Sequence, residues 1–230
     1  MEGEVYPANS DQPQFKYCST HKTIWNRYAE QGDDAPKNVH PNHVHKKGKR
    51  ANHTQRAPHA SEEMTDDPDE TELLVEFVQV ITTFIEYHLA KLMPNEYAKI
   101  KIFAERLPLN QRSHAHPFGG LVFNISVSTR GHRDGGDKLF CVVIPFGDWE
   151  GGELGMFEPG LLLRPRPWDA MVFPSCRITH FNRHFTGERC SLVLHSDKHG
   201  DKWAQYKNGW VPRTRKKKGR KRKGPKVADV

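Results

Sequence analysis

Apolar residues recur at three- and four-residue spacing between positions 73 and 89: Leu73, Leu74, Phe77, Val78, Val80, Ile81, Phe84, Ile85 and Leu89. That period predicts a helix over about 68–92. Asp69, Glu70 and Glu72 crowd its first turns, where carboxylates suit the helix dipole, and Pro94 follows its end. Residues 98–103 alternate Ile100 and Ile102 with Lys99 and Lys101, which fits either a strand or a second short helix. From Leu121 the texture changes. Phe123, Ile125 and Val127 alternate with Asn124, Ser126 and Ser128, and the run 139–144 is continuously apolar up to Pro145. Gly147 to Gly152 reads as a turn, and short apolar runs follow at 153–157, 161–164, 170–173, 177–181 and 190–195. Seven short strands separated by turns predict a mainly β (α+β) fold, a sandwich or jelly roll with helices flanking it.

Residues 1–65 show no sustained period and are rich in Pro, Asn, His, Gln and Lys. They are expected to form a disordered polar segment, with a short amphipathic piece near 24–28 and incidental histidines at His40, His43 and His45. The folded domain is expected over 66–210, and a disordered basic tail over 211–230. An apolar share of 36% and a mean hydropathy of −0.78 agree with part of the chain being unfolded.

The formal net charge of +7 belongs to that tail. Residues 211–230 hold ten Lys/Arg and one acid, which leaves 25 basic and 27 acidic residues elsewhere. The basic run 213–226 can attract the phosphates of DNA or RNA by counterion release or act as a nuclear import signal. The nucleus is therefore the expected location, and the cytoplasm the alternative. There is no unbroken apolar run of about 18 residues, so no membrane span is expected, and the N-terminus lacks the basic and apolar regions of a signal peptide. Cys18, Cys141, Cys176 and Cys190 show no CxxC spacing and read as small hydrophobes of a reducing compartment.

His132-Arg133-Asp134 lies just after the alternating strand. In an extended chain, residues i and i+2 point to one side, so an imidazole and a carboxylate at that spacing can converge on one ion. His180 is the candidate third ligand, from another strand. Two histidines and one carboxylate on one face of Fe(II) leave positions open for a chelating cosubstrate and O2. The pattern HxD alone is weak, since His195/Asp197 and His199/Asp201 repeat it. Only the first pair is followed by an apolar strand, a Gly-rich hairpin, a histidine and an Arg-bearing strand. Arg189 has the planar fork that matches the distal carboxylate of a 2-oxo diacid. Ser191, two residues on, can donate its hydroxyl to the same group, and Asn124 is placed to face the cosubstrate. His114 and His116 are second-rank candidates near the site's entrance, and His184 is a poorer ligand candidate than His180. Trp203, Tyr206 and Trp210 either pack on the end of the domain or stack on bases.

The stretch from Phe118 to Asp197 resembles the Fe(II)/2-oxoglutarate-dependent dioxygenase superfamily, and is similar to the fungal branch of the TET/JBP-type oxygenases. The carrying residues are His132-Arg133-Asp134, Trp149-Glu150-Gly151-Gly152-Glu153-Leu154, Trp168-Asp169-Ala170-Met171-Val172-Phe173, Thr179-His180-Phe181-Asn182 and Gly187-Glu188-Arg189-Cys190-Ser191-Leu192. The resemblance implies a double-stranded β-helix (jelly roll), Fe(II) at His132, Asp134 and His180, 2-oxoglutarate at Arg189, and O2 as the second cosubstrate. It implies as substrate a methylated base in nucleic acid, 5-methylcytosine above all. A protein or small-molecule hydroxylase on the same core, or a non-catalytic nuclear binding module, are the alternatives. The chain's four cysteines are too few for the cysteine-rich module that precedes the barrel in animal TET proteins.

Overall fold

The computed structural model describes residues 5–7, 18–30, 51–108 and 112–206. In chain order the elements are β1 (Val5–Pro7), β2 (Cys18–Glu30), β3 (Ala51–Ala60), α1 (Glu62–Asp66), α2 (Pro68–Leu92), α3 (Pro94–Ala104), β4 (Gly120–Ile125), β5 (Val127–Thr129), β6 (Cys141–Gly151), β7 (Leu154–Met156), β8 (Leu161–Leu163), β9 (Met171–Phe173), β10 (His180–Asn182), β11 (Phe185–His195) and α4 (Gly200–Tyr206). The strands pair antiparallel throughout. A six-stranded sheet runs β3-β2-β4-β11-β6-β9, a three-stranded sheet runs β10-β7-β8, and β1 pairs with β5.

Alternation along the central strands divides the two faces of the large sheet. Leu121, Val142, Ile144, Leu192 and Leu194 point to one side, where they pack against Val78, Ile85 and Leu89 of α2 and Ile100 of α3. Cys141, Val143 and Val193 point to the other side, where Leu154 and Met156 of the small sheet cover them. The site lies on this second face, so the helices serve as its backing.

Helix α2 starts and stops as its sequence signals direct. The Asp67 side chain accepts from the Glu70 amide at 2.9 Å, Pro68 occupies the first turn, and the chain breaks at Met93 before Pro94. Among the described residues it is the one helix long and apolar enough to cross a membrane by length and composition. The expectation of no such segment rested on unbroken runs, which Glu72, Glu76 and Glu86 interrupt. The ambiguous stretch 98–103 belongs to helix α3, whose Ile100 and Phe103 are buried.

Two expectations are corrected. Residues 1–65 are not uniformly disordered, because β2 and β3 add two strands to the large sheet beside β4. The buried residues of β2 include Lys22, Thr23 and Asn26, so its place in the sheet is secured by backbone pairing and polar contacts rather than by an apolar pattern. The stretch from Gly147 is not a turn. Strand β6 runs through Pro145 to Gly151, paired with β11. Gly147 and Gly187 adopt φ of 115° and 94° and press against the facing backbone, where a Cβ at either would lie within 2.4 Å of a carbonyl oxygen. Glycine at these positions bends the ladder without ending it. The tail at 211–230, Trp210 and His40, His43 and His45 lie outside the described residues, while Trp203 is buried with Ile24, Phe103 and Leu107.

Candidate active site

The loop after β5 and the first residue of β10 meet edge to edge. The amide of His132 donates to the carbonyl of His180 at 3.0 Å, and the amide of His180 donates to that of His132 at 2.9 Å. This single bridge brings two segments far apart in sequence into register, with the imidazole centroids 4.3 Å apart. Asp134 completes the group. Its carboxylate oxygens lie 3.6 Å from His132 Nε2 and 3.4 Å from His180 Nε2, and one ligand atom from each residue falls within 4.8 Å of the others.

The chemistry of the donor set fits a metal ion. His132 Nδ1 lies 2.8 Å from the Arg130 carbonyl and His180 Nδ1 lies 3.0 Å from the Ile178 carbonyl. Each Nδ1–H therefore donates to backbone, and the Nε2 lone pairs are turned inward. Burial pushes the Asp134 carboxyl up, but the contact with His180 and the charge that His180, His132 and His195 carry when protonated outweigh it and hold the group below the usual carboxylate range. Burial pulls His180 down, and its contacts with Asp134 and the Ile178 carbonyl more than reverse that.

Two hydrogen-bond networks hold this loop. On the inner side, the Asp134 amide donates to the Ser175 carbonyl at 3.1 Å, Ser175 Oγ donates to Asp137 Oδ2 at 2.7 Å, and Asp137 Oδ1 faces His195 Nδ1 at 3.3 Å. His195 Nε2 in turn meets Thr23 Oγ1 at 3.2 Å. On the outer side, Arg133 Nε donates to Thr179 Oγ1 at 2.9 Å and its guanidinium pairs with Glu158. The amide and hydroxyl of Thr179 donate to the same carboxylate at 2.6 and 2.7 Å. Arg133 stands between His132 and Asp134, and Thr179 precedes His180, so Glu158 ties both ligand-bearing segments together from outside.

The hydrogen bond from Thr179, chiefly, and those from Arg133 hold the Glu158 carboxyl down at about 2. A carboxylate with a depressed pKa contributes fully above its unfolded value of 4.5 and loses that contribution only as pH falls toward 2. The outer network therefore stays intact over the whole range in which histidine titrates. Replacing Glu158 by Gln is expected to weaken binding of a divalent metal by about tenfold, the lower range for partners that orient ligands, while the unfolding midpoint changes little. Titration with Co(II), followed by its visible absorption, measures this.

A cavity of about 230 Å3 opens beside the cluster, and His132, Asp134 and His180 line it. Asn124 and Ser191 also line it, paired across β4 and β11, with Asn124 Nδ2 donating to Ser191 Oγ at 3.2 Å. The Asn124 side-chain Oδ1 is buried and has no hydrogen-bond partner among the described residues. Arg189 is not among the residues lining this cavity. It sits two residues before Ser191 on the same strand face, 3% exposed, with its guanidinium carbon 5.6 Å from the ring centroids of both Trp149 and Phe185. Its Nε lacks a partner, and no acid among the described residues pairs with it. Burial lowers its pKa, yet an arginine remains charged. A buried cation with no acidic partner among the described residues, close to a cavity that Asn124 and Ser191 line, is the expected state of an anion-binding group.

Sequence reasoning passed over four more residues on this cavity: His21, Trp25, Asp137 and His195. His195 was legible in principle, since 191, 193 and 195 share one face of a strand. In the sequence it reads only as half of the rival pair His195/Asp197. His21 and Trp25 lie on β2, which carries no alternating signal. The Trp25 and His195 rings lie 5.5 Å apart on the cavity wall. His114 and His116 are placed elsewhere: His114 is hydrogen-bonded to the Lys22 carbonyl, and His116 faces Glu86 and Glu105 on the helical side. His184 precedes β11 and does not line the cavity.

Fold and site together define a mainly antiparallel β protein with a His-Asp-His cluster able to hold a metal on its covered face. Its fold is shared with NgTET1, solved in complex with 5mC DNA, at a TM-score of 0.52 and 15% identity over 80% of this chain. The chain spans 62% of the length of that structure. A 2OG-Fe(II) oxygenase family oxidoreductase from Burkholderia pseudomallei aligns over 34% of this chain and 42% of its own, at 26% identity and a TM-score of 0.30. No family model matches the sequence, and no curated protein matches it.

Proposed function

We propose that this chain is an Fe(II)/2-oxoglutarate-dependent dioxygenase on a double-stranded β-helix, and that it oxidises a methylated base, 5-methylcytosine-like, in nucleic acid. The observation that carries the reading is the convergence of His132, Asp134 and His180, with both Nδ1 atoms tied to carbonyls, on the rim of a cavity. The fold shared with NgTET1 supports it, and the basic run 213–226 supports a polyanionic substrate and a nuclear location. In this reading His132, Asp134 and His180 hold the iron. Bound Fe(II) would supply O2 activation coupled to oxidative decarboxylation of 2-oxoglutarate, with hydrogen removal from the substrate.

The protein's own residues bind, orient and shield. Arg189 takes the distal carboxylate of 2-oxoglutarate, and the Ser191 hydroxyl and Asn124 amide complete its polar surroundings. Val122, Val143, Leu154 and Val193 give the cavity an apolar wall that keeps water from the reacting groups. Trp25 and His195 place aromatic rings on the cavity wall, 5.5 Å apart, where a planar substrate can meet them.

The test is incubation with Fe(II), 2-oxoglutarate and duplex or single-stranded nucleic acid carrying 5-methylcytosine, with succinate and oxidised bases read by mass spectrometry. Both products are expected to rise together. Iron-loaded protein that never forms succinate would sink the enzyme reading. Succinate without base oxidation on any nucleic acid would move the substrate to a protein or small molecule.

A further inference from the structure

Helix α2 has two apolar sides. Val78, Ile85 and Leu89 are buried in the core, whereas Leu73, Phe77, Val80, Phe84 and Tyr87 are 55–78% exposed. The exposed five are spaced four, three, four and three residues apart, the a/d repeat of a helix–helix seam. A helix apolar on both sides is normally covered on both. Charge is uneven along it. Asp69, Glu70, Glu72 and Glu76 lie in its first half, which has no Lys or Arg, whereas its second half holds Lys91 in the last turn and a single acid, Glu86, which accepts from the Tyr97 hydroxyl of α3.

We propose that this stripe is a homodimer interface, in which α2 packs antiparallel against α2 of a second copy of this chain. Parallel pairing would set four acids against four acids. Antiparallel pairing about a dyad level with residue 82 brings four of the five stripe positions opposite another. Phe77 faces the second copy's Tyr87, Val80 faces its Phe84, and Leu73 faces its Lys91. The stem of Lys91 covers the leucine, and its ammonium lies one turn from Glu76. The helix dipoles oppose as well. The same acids disfavour an anionic bilayer as occupant of this face. The interface lies on the helical side of the large sheet and leaves the cavity on the other side open.

Sedimentation equilibrium of the full chain over a concentration series tests this. Wild type is expected to dimerise, and Val80→Glu, at a position 78% exposed, is expected to weaken dimerisation at least a hundredfold with an unchanged circular-dichroism spectrum and thermal midpoint. Glu76→Lys and Lys91→Glu should each weaken it, and the double variant should recover most of the loss. A wild type that stays monomeric, or a dimer indifferent to Val80→Glu, overturns the proposal. Absence of rescue in the double variant overturns the antiparallel pairing. Monomer that instead binds phosphatidylcholine vesicles through the stripe, with Val80→Glu abolishing that binding, overturns it in favour of a lipid surface.

Discussion

Replacing Asp134 by Ala is expected to abolish Fe(II)-dependent conversion of 2-oxoglutarate, by at least about a thousandfold, or about 4 kcal/mol. Asp134 is the sole carboxylate of the cluster, and both inward Nε2 atoms point at it. Without it, two neutral imidazoles remain, and they supply neither the charge nor the third point that fixes an ion. Its backbone is held independently by Ser175 and Asp137, so the loop should keep its course. The variant is thus expected to retain the wild-type circular-dichroism spectrum while losing Co(II) binding and succinate formation together. Succinate formation at the wild-type rate by the Ala variant would show that the metal is bound elsewhere.

Arg189→Met should separate cosubstrate binding from metal binding. Among the described residues the guanidinium is buried without an anionic partner, a costly state for a charge in the absence of ligand. Methionine has similar reach and can pack between Trp149 and Phe185, which flank the cation. Thermal stability of the unliganded variant should therefore equal or exceed that of wild type. The Kd for 2-oxoglutarate should rise on the order of a hundredfold, about 2.7 kcal/mol, as expected for loss of a charge-assisted pair. Metal titration of the variant should be unchanged. A variant that is destabilised by several kcal/mol and still binds 2-oxoglutarate normally would make Arg189 a structural cation.

The parts of the fold that could be read in the sequence are those whose signals are local. Helix α2 was legible from end to end because Pro68 and Pro94 bracket a 3.6-residue period. The alternation Lys99-Ile100-Lys101-Ile102 fits two periods equally well, and burial of Ile100 beside Phe103 selects the helix. Strand β2 was illegible for a different reason. Its buried positions Lys22, Thr23 and Asn26 look like those of a surface loop, because their partners lie far away in sequence: the Glu63 carbonyl, the Leu121 carbonyl and the His199 carbonyl.

Pro145 misled in an instructive way. Its missing N–H falls beyond the β9 pairing, which ends at Val143, so the proline breaks no ladder on that side. Its carbonyl accepts from the Trp168 amide at 2.7 Å. At the site, the His-Asp-His set could be read from its order along the chain, and the structure brings all three together, although His132 and Asp134 lie in a loop held by the His180 bridge and the Ser175 carbonyl rather than on a strand. Ser191 and Asn124 meet as adjacent-strand neighbours, while Arg189 is folded back between two rings that no spacing rule announces.

The mutual amide bridge between His132 and His180 has a kinetic meaning. The two histidines protect each other's N–H from solvent, so both amides are expected to exchange slowly. The bridge uses only backbone atoms, so substitution of either imidazole is expected to leave that protection, and the pairing of the two segments, in place.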